Sequence, residues 1–225
     1  MTNNEKNKFN FAVVFDMDGV IVDSNPVHVV ALKQYCQKLG LSLSEEFMEK
    51  NIFGRTNRDW LYNVFQGNIT EEEIRYHSEE KERLFRKLFE PIIKPVKGLV
   101  DFLKLLKANR IRIALATSAI AANVDFVLEK TCTKEFFDLV VDESFVNEGK
   151  PDPEIYLKTA QLLELPPGKC VVFEDSFSGV EAARRAGCKV VAVTTTHRAH
   201  EFQNVDIIIN NFDDISISDI EKLFK

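Results

Sequence analysis

Six short apolar runs, rich in β-branched residues, restrict the folds open to this chain more than any other feature. They are Phe11–Phe15 (FAVVF), Ile111–Ala116 (IRIALA), Phe137–Val141 (FDLVV), Cys170–Phe173 (CVVF), Lys189–Val193 (KVVAV) and Val205–Ile209 (VDIII). A strand with one face in water alternates apolar and polar residues. These runs are nearly continuous, so each reads as a strand buried on both faces, as strands of parallel sheets are. Helical patterns lie between them. Leu99–Lys107 has apolar residues at 99, 102, 103 and 106. Asp152-Pro153-Glu154 opens a helix, with Asp as cap and Pro at the first helical position. Ser178-Gly179-Val180-Glu181 reads as a capping box opening a helix that stops at Gly187, and Ser218–Phe224 reads as a short closing helix. Alternation of strand and helix from about residue 96 onward predicts an α/β fold, with a parallel sheet and right-handed crossovers. The first run must join that sheet.

Residues 24–95 break the alternation. They hold no strand pattern but four helical ones: Val27–Leu39, Ser44–Lys50, Asn57–Phe65 and a charged stretch from Thr70 to Phe89, opened by the capping box Thr70-x-x-Glu73. The expected organisation is a core of residues 1–23 and 96–225 with an α-helical cap, 24–95, inserted after the first strand. The charged stretch reads as a solvated face of that cap.

Charge and cysteines narrow the setting. The net charge is −6 with no dense Lys/Arg run, which argues against nucleic-acid and anionic-membrane partners. No apolar run has the length of a membrane span. The first ten residues, MTNNEKNKFN, lack the apolar stretch of a secretory signal. A cytoplasmic monomer is expected. Cys36, Cys132, Cys170 and Cys188 have no C-x-x-C spacing, so buried or partly buried free thiols are expected.

The chemistry lies at the carboxyl ends of the strands. The first ends in Asp16-Met17-Asp18-Gly19, the second in Thr117-Ser118 and the fourth in Glu174-Asp175-Ser176. In a parallel sheet these ends share one edge, where ligands bind. Carboxylates crowded there repel one another unless a hard cation is present, and an all-oxygen ligand set favours Mg²⁺. Asp16 is suited to attack phosphorus and form an aspartyl phosphate. Asp18 is suited to protonate the leaving oxygen and then deprotonate the attacking hydroxyl or water. Gly19 would let backbone N–H groups approach a phosphate. Each element has a plainer reading: Asp-x-Asp as a turn, Thr117 and Ser118 as caps of the following helix, Lys150 as a solvated loop lysine, and Glu174-Asp175 as a helix cap. His197 and His200 read as surface residues.

In this order, the motifs resemble those of the haloacid dehalogenase superfamily across residues 9 to 210. Asp16-Met17-Asp18-Gly19-Val20 is similar to its first motif, Thr117 to the second, Lys150 in Gly149-Lys150-Pro151-Asp152-Pro153 to the third, and Glu174-Asp175 to the fourth. The resemblance implies a Rossmann-like core with helices on both faces. It also implies Asp16 as nucleophile and metal ligand, and Asp18 as acid/base with its backbone carbonyl on the metal. Thr117 and Lys150 would hold the transferring phosphoryl group, and Glu174 and Asp175 would complete a Mg²⁺ site. The substrate it implies is a small phosphorylated metabolite. Within the superfamily the chain resembles the β-phosphoglucomutase-like phosphatases, with His28 following Asp23-Ser24. Ser118, His28, Arg55, Asn57 and Arg58 are the candidate substrate-binding residues.

The mutase pattern is incomplete. Asn57 stands where the mutase has a phosphate-gripping Arg, flanked by Arg55 and Arg58. Ala119-Ile120-Ala121 stands where the mutase has Ser-Lys-Asn. A phosphatase is therefore the expectation and a sugar phosphomutase the alternative. A phospho-Asp signalling receiver and a non-catalytic binding protein fit less well: receivers lack a helical insertion after the first strand, and every motif residue is intact here.

Overall fold

The computed structural model describes residues 10–51 and 56–225. It divides into two compact units, one ending at Asp23 and resuming at Lys94–Lys225, the other Ser24–Ile93. The boundary falls just before Lys94 because Val22 bridges to Pro95 and the Val96 N–H donates to the Ile21 carbonyl at 2.9 Å.

After β1 (Ala12–Phe15), the helical unit runs through α1 (Asn25–Lys38), α2 (Glu45–Asn51), α3 (Asn57–Val64) and α4 (Glu71–Phe89). The chain continues through α5 (Leu99–Ala108), β2 (Arg112–Ala116), α6 (Ala121–Lys130), β3 (Leu139–Val141), α7 (Glu154–Leu162), β4 (Cys170–Glu174), α8 (Phe177–Ala186), β5 (Lys189–Val193), β6 (Ile207–Ile209) and α9 (Ile217–Lys222). All strand pairs are parallel, in the order β3-β2-β1-β4-β5-β6. This is the doubly wound Rossmann order, and its direction reverses between β1 and β4.

The two faces of the sheet are built differently. On one, small residues (Ala12, Val14, Ala114, Ala116, Val172, Val190 and Ala192) pack against α7 and α8 through Ile155, Tyr156, Ala160, Val180, Ala182 and Ala183. Short side chains let those helices lie close. The other face is aromatic: Phe15 and Phe173 stack with ring centroids 5.1 Å apart, and Phe102 of α5 and Phe212 close over them at 5.5–6.3 Å. These fully buried rings immediately precede Asp16 and Glu174, so the aromatic core holds the strand ends that carry the acids. The helical unit has its own core of Leu32, Tyr35, Cys36, Met48, Trp60, Leu61 and Ile74.

Local differences from the sequence reading have simple causes. Edge strands β3 and β6 are shorter than their apolar runs. At each start an Asp intervenes: Asp138 Oδ2 accepts the Ile113 N–H at 2.9 Å, and Asp206 Oδ2 accepts the Val190 N–H at 2.8 Å. Each carboxylate stands in for a ladder carbonyl. Helix α8 starts two residues earlier than the Ser178 capping box required: its cap is Ser176, whose Oγ accepts the Gly179 N–H at 3.0 Å. Helix α7 starts at Glu154, whose N–H donates to Asp152 Oδ1, with Pro153 as cap rather than first helical residue. The Thr70–Glu73 capping box forms as expected. Helix α4 is not wholly a solvated face, since Lys81 and Glu82 are buried and paired at 2.7 Å. All four cysteines are free; Cys132 is exposed and the other three are buried. Among the described residues, no helix is long and apolar enough to cross a membrane.

Removing the Phe173 ring leaves a cavity beside three other rings. Phe173→Ala is expected to cost about 3–5 kcal/mol, read as a lower urea midpoint with an unchanged slope.

Candidate active site

Parallel register places the acids. Phe15 pairs with Phe173, so the next residues, Asp16 and Glu174, leave adjacent strands side by side at the switch point. The Asp16 N–H donates to the Phe173 carbonyl at 3.0 Å. Thr117 leaves β2 on Asp16's other flank, its N–H on the Val141 carbonyl at 3.0 Å.

Lys150 joins the acids. Its Nζ lies 2.7 Å from Asp16 Oδ1 and 2.7 Å from Glu174 Oε1, with the side chain almost wholly buried. The reading of Lys150 as a solvated loop residue is thereby excluded. Burial by itself would strip the ammonium of its proton, but Asp16 and Glu174 outweigh it and hold Lys150 well above the ordinary lysine value. Both Glu174 oxygens accept hydrogen bonds. Oε1 also accepts the Tyr156 hydroxyl at 2.7 Å, and Oε2 accepts the N–H groups of Asp175 and Ser176 and the Ser176 hydroxyl at 3.0–3.1 Å. Burial pushes the Glu174 carboxyl up, yet Lys150 and these donors bring it below its ordinary value.

Asp16 and Asp175 lie on the other side of that balance. Burial raises Asp16 to about 7, against the pull of Lys150 and with the help of Glu174 and Asp18. Burial, then the charges of Glu174 and Asp16, raise Asp175 to about 8. Asp16, Glu174 and Asp175 each offer a ligand atom, all within 4.8 Å of one another. Three buried carboxylates face one lysine, so protons or a cation must take up the remaining charge. The donors are all oxygens, which suits a hard divalent cation. The acidic group can hold a metal, and the raised carboxyls are those that binding would discharge.

The glycines serve this packing. Gly19 has φ +76°, and a Cβ there would fall 1.9 Å from Asp175 Oδ2. Its N–H is spent on the Val22 carbonyl at 2.7 Å. Close approach of Asp175 therefore requires glycine at this position. At Gly179 a Cβ would fall 1.7 Å from Glu174 Oε1, so the first turn of α8 fits over that carboxylate only as glycine.

The remaining candidates separate. Asp18 is half-buried, with its charge felt by both Asp16 and Asp175. Thr117 is buried, and its Oγ1 accepts the Ala119 N–H at 3.1 Å. Ser118 is exposed. Neither hydroxyl caps α6, whose cap is Ile120. In the helical unit, His28 stacks on Phe85 at 3.7 Å with Nδ1 3.1 Å from Lys81 Nζ. Asn57 donates to Glu82 Oε1 at 2.9 Å and accepts from the Trp60 indole at 3.1 Å. Arg58 is held in a two-pronged pair with Glu71. Arg55 lies outside the described residues. His200 is exposed, while His197 is half-buried, stacked on Phe177 at 3.8 Å.

Tyr156, Thr195 and Thr196 are the participants that the sequence reading did not find. The Thr195 hydroxyl donates to the Gly19 carbonyl at 2.5 Å, and the Thr196 hydroxyl donates to Asp175 Oδ2. The only sequence signal was polar residues directly after a strand, Thr194-Thr195-Thr196, at the edge that carries the acids.

The raised carboxyls set a pH dependence. Between about pH 4 and pH 8 the folded, metal-free site retains protons that the unfolded chain has released, so stability falls as pH rises through that window. Glu174, held low, contributes the opposite slope only at more acid pH. Melting curves with a chelator should show a higher Tm at pH 6 than at pH 8. Excess divalent cation should raise Tm more at pH 8, where it no longer competes with protons.

Comparison with known proteins agrees with this geometry. The model of the haloacid dehalogenase-like hydrolase family matches residues 13–193. The "Phosphorylated carbohydrates phosphatase" of Thermotoga maritima is 37% identical over 181 residues, 78% of this chain and 81% of that protein. The "Beta-phosphoglucomutase" of Bacillus subtilis is 27% identical over 215 residues, 92% of each chain. The solved structure of a "HAD hydrolase, family IA, variant 3" from Entamoeba histolytica superposes with a TM-score of 0.86 at 29% identity, covering 95% of this chain and 98% of that one. The sheet order, the strand-end acids and a match over most of the sequence lead to one assignment: the chain belongs to the haloacid dehalogenase-like hydrolases, as a phosphoryl-transfer enzyme.

Proposed function

We propose that the protein is a Mg²⁺-dependent phosphatase that hydrolyses a small phosphorylated metabolite, a sugar phosphate above all, through an aspartyl phosphate on Asp16. The observation that carries this reading is the buried Asp16–Lys150–Glu174 ion-pair chain at the switch point, with Asp175 alongside. Two carboxyls raised by burial, to about 7 and about 8, at the edge where ligands bind support the same reading.

In the first step an Asp16 oxygen attacks phosphorus, the ester oxygen leaves, and Asp18 supplies its proton. In the second, Asp18 takes a proton from water, the water oxygen attacks phosphorus, and the bond to Asp16 breaks, releasing inorganic phosphate. Lys150 holds phosphoryl oxygens while keeping charge on Asp16 in check. Thr117, whose oxygen accepts from Ala119, retains its own O–H for a phosphoryl oxygen. Asp16, Glu174 and Asp175 would hold the cation, with the Asp18 carbonyl. Bound Mg²⁺ supplies the positive charge that keeps the carboxylates ionised and offsets the phosphate. The unit Ser24–Ile93 is read as the cap that excludes water and selects substrate, with His28, Asn57, Arg58 and Arg55 of that unit, and Ser118 of the other, as candidate substrate-binding residues. A cytoplasmic monomer belongs to the same reading.

A phosphomutase is the second reading, favoured by the Bacillus subtilis relative. A mutase must grip a second phosphate. Asn57 is occupied by Glu82 and Trp60, Arg58 by Glu71, and Ile120 is apolar. These observations favour water over a sugar hydroxyl as the second nucleophile.

With Mg²⁺ and a panel of sugar phosphates, the protein is expected to release inorganic phosphate. Conversion of β-glucose 1-phosphate to glucose 6-phosphate with almost no release would establish the mutase instead. Asp16→Asn should lower kcat by at least about 10³-fold with the fold intact, because an amide cannot serve as the nucleophile. Unchanged activity in that variant would remove the covalent mechanism.

A further inference from the structure

The segment after β5 makes five contacts through four successive residues, Thr194 to His197. The Thr194 hydroxyl donates to Asn210 Oδ1 at 3.0 Å, and the Thr194 N–H to the Ile209 carbonyl at 2.9 Å, anchoring the segment to the β6 side. Thr195 reaches the Gly19 carbonyl in the loop after β1, and Thr196 reaches Asp175 Oδ2 in the loop after β4. His197 stacks on Phe177 at the start of α8, with the rings 19° from parallel. Two neighbouring hydroxyls thus tie together the two loops that carry the acids.

We infer that Thr195 and Thr196 are positioning residues of the reaction, Thr196 orienting Asp175 toward the cation and Thr195 fixing the Asp18–Gly19 turn. Asp175 Oδ2 is confined between the Gly19 Cα, where even a methyl group has no room, and the Thr196 hydroxyl. With one oxygen pinned on two sides, rotation about Cβ–Cγ is blocked and the direction of the other oxygen is set. A donor to a carboxylate is among the stronger hydrogen bonds, and groups that orient metal ligands from behind typically govern about 10–100-fold in metal affinity. Thr195 acts on the Gly19 peptide, one residue from Asp18. Its turn is already closed by the Gly19 N–H on Val22 and by Met17, whose carbonyl accepts from Ile21 at 2.8 Å. A third tie on the same turn leaves Asp18 little freedom to move.

This inference rests on the metal-site reading above, and the test separates the two. Mn²⁺ binding to the purified full chain is followed by the electron paramagnetic resonance signal of free Mn²⁺, alongside steady-state kinetics at saturating Mg²⁺. Thr196→Val, at an exposed position, is expected to fold normally and bind Mn²⁺ about 10–100-fold more weakly, and Thr196→Ser is expected to restore binding to within about threefold of wild type. Thr195→Val, which leaves the Asp175 contact intact and loosens only the turn that carries the Asp18 carbonyl, is expected to weaken Mn²⁺ binding less than Thr196→Val does, while kcat falls about tenfold at unchanged KM. Wild-type affinity in Thr196→Val, or equal loss in Thr196→Val and Thr196→Ser, overturns the role of Thr196. Unchanged kcat in Thr195→Val overturns that of Thr195. If the wild type binds no Mn²⁺, the metal-site reading falls, and this inference with it.

Discussion

A single buried ammonium makes the rest of the site possible. Lys150 sits 2.7 Å from carboxylates on two different strand ends. Without it, Asp16 and Glu174 would meet as two like charges in a low-dielectric setting, where each would take up a proton instead of ionising. The lysine is itself held by its position. It lies in the loop before α7, and the Tyr156 hydroxyl of α7 donates to the same Glu174 oxygen while the Tyr156 ring lies under the ammonium at 5.0 Å. The packing of α7 on the sheet therefore fixes the position of a charge as well as burying area.

That packing depends on the asymmetry of the two sheet faces. Alanines and valines on one face let α7 and α8 come close enough for Tyr156 and the Gly179 turn to touch Glu174. On the other face Phe15 and Phe173 take up volume with rings. In β1 and β4 a large buried ring is thus followed directly by an acid. The ring anchors the backbone, and the acid projects from a rigid point, as a site needing sub-ångström placement requires.

Much of this was legible before folding. Strand runs, the order of acids at their ends and the helical insertion are local patterns, set by side-chain period and turn chemistry. The errors were also local. Ser178 and Glu181 matched a capping box, but Ser176 took the cap, because α8 must begin where Gly179 can lie over Glu174. Gly19 reads from sequence as letting backbone N–H groups approach a phosphate, and packing adds a requirement that no sequence pattern shows, room for Asp175. Lys81 and Glu82 fell within a stretch that looked uniformly solvated, and only packing pairs and buries them.

The sequence by itself determined which chemistry was available: Asp16, Asp18, Lys150, Glu174 and Asp175 at the ends of parallel strands, a pattern that suits phosphoryl transfer on a metal. Tertiary structure alone decided how charge is divided among them. Lys150 is bound 134 residues away from Asp16, Thr196 reaches Asp175 across 21 residues, and Thr195 reaches Gly19 across 176. Such pairings leave no periodic trace along the chain. Hence two chemically alike carboxyls, Asp175 and Glu174, move in opposite directions: one raised by burial and its neighbours' charge, the other lowered by a lysine brought in from a distant loop.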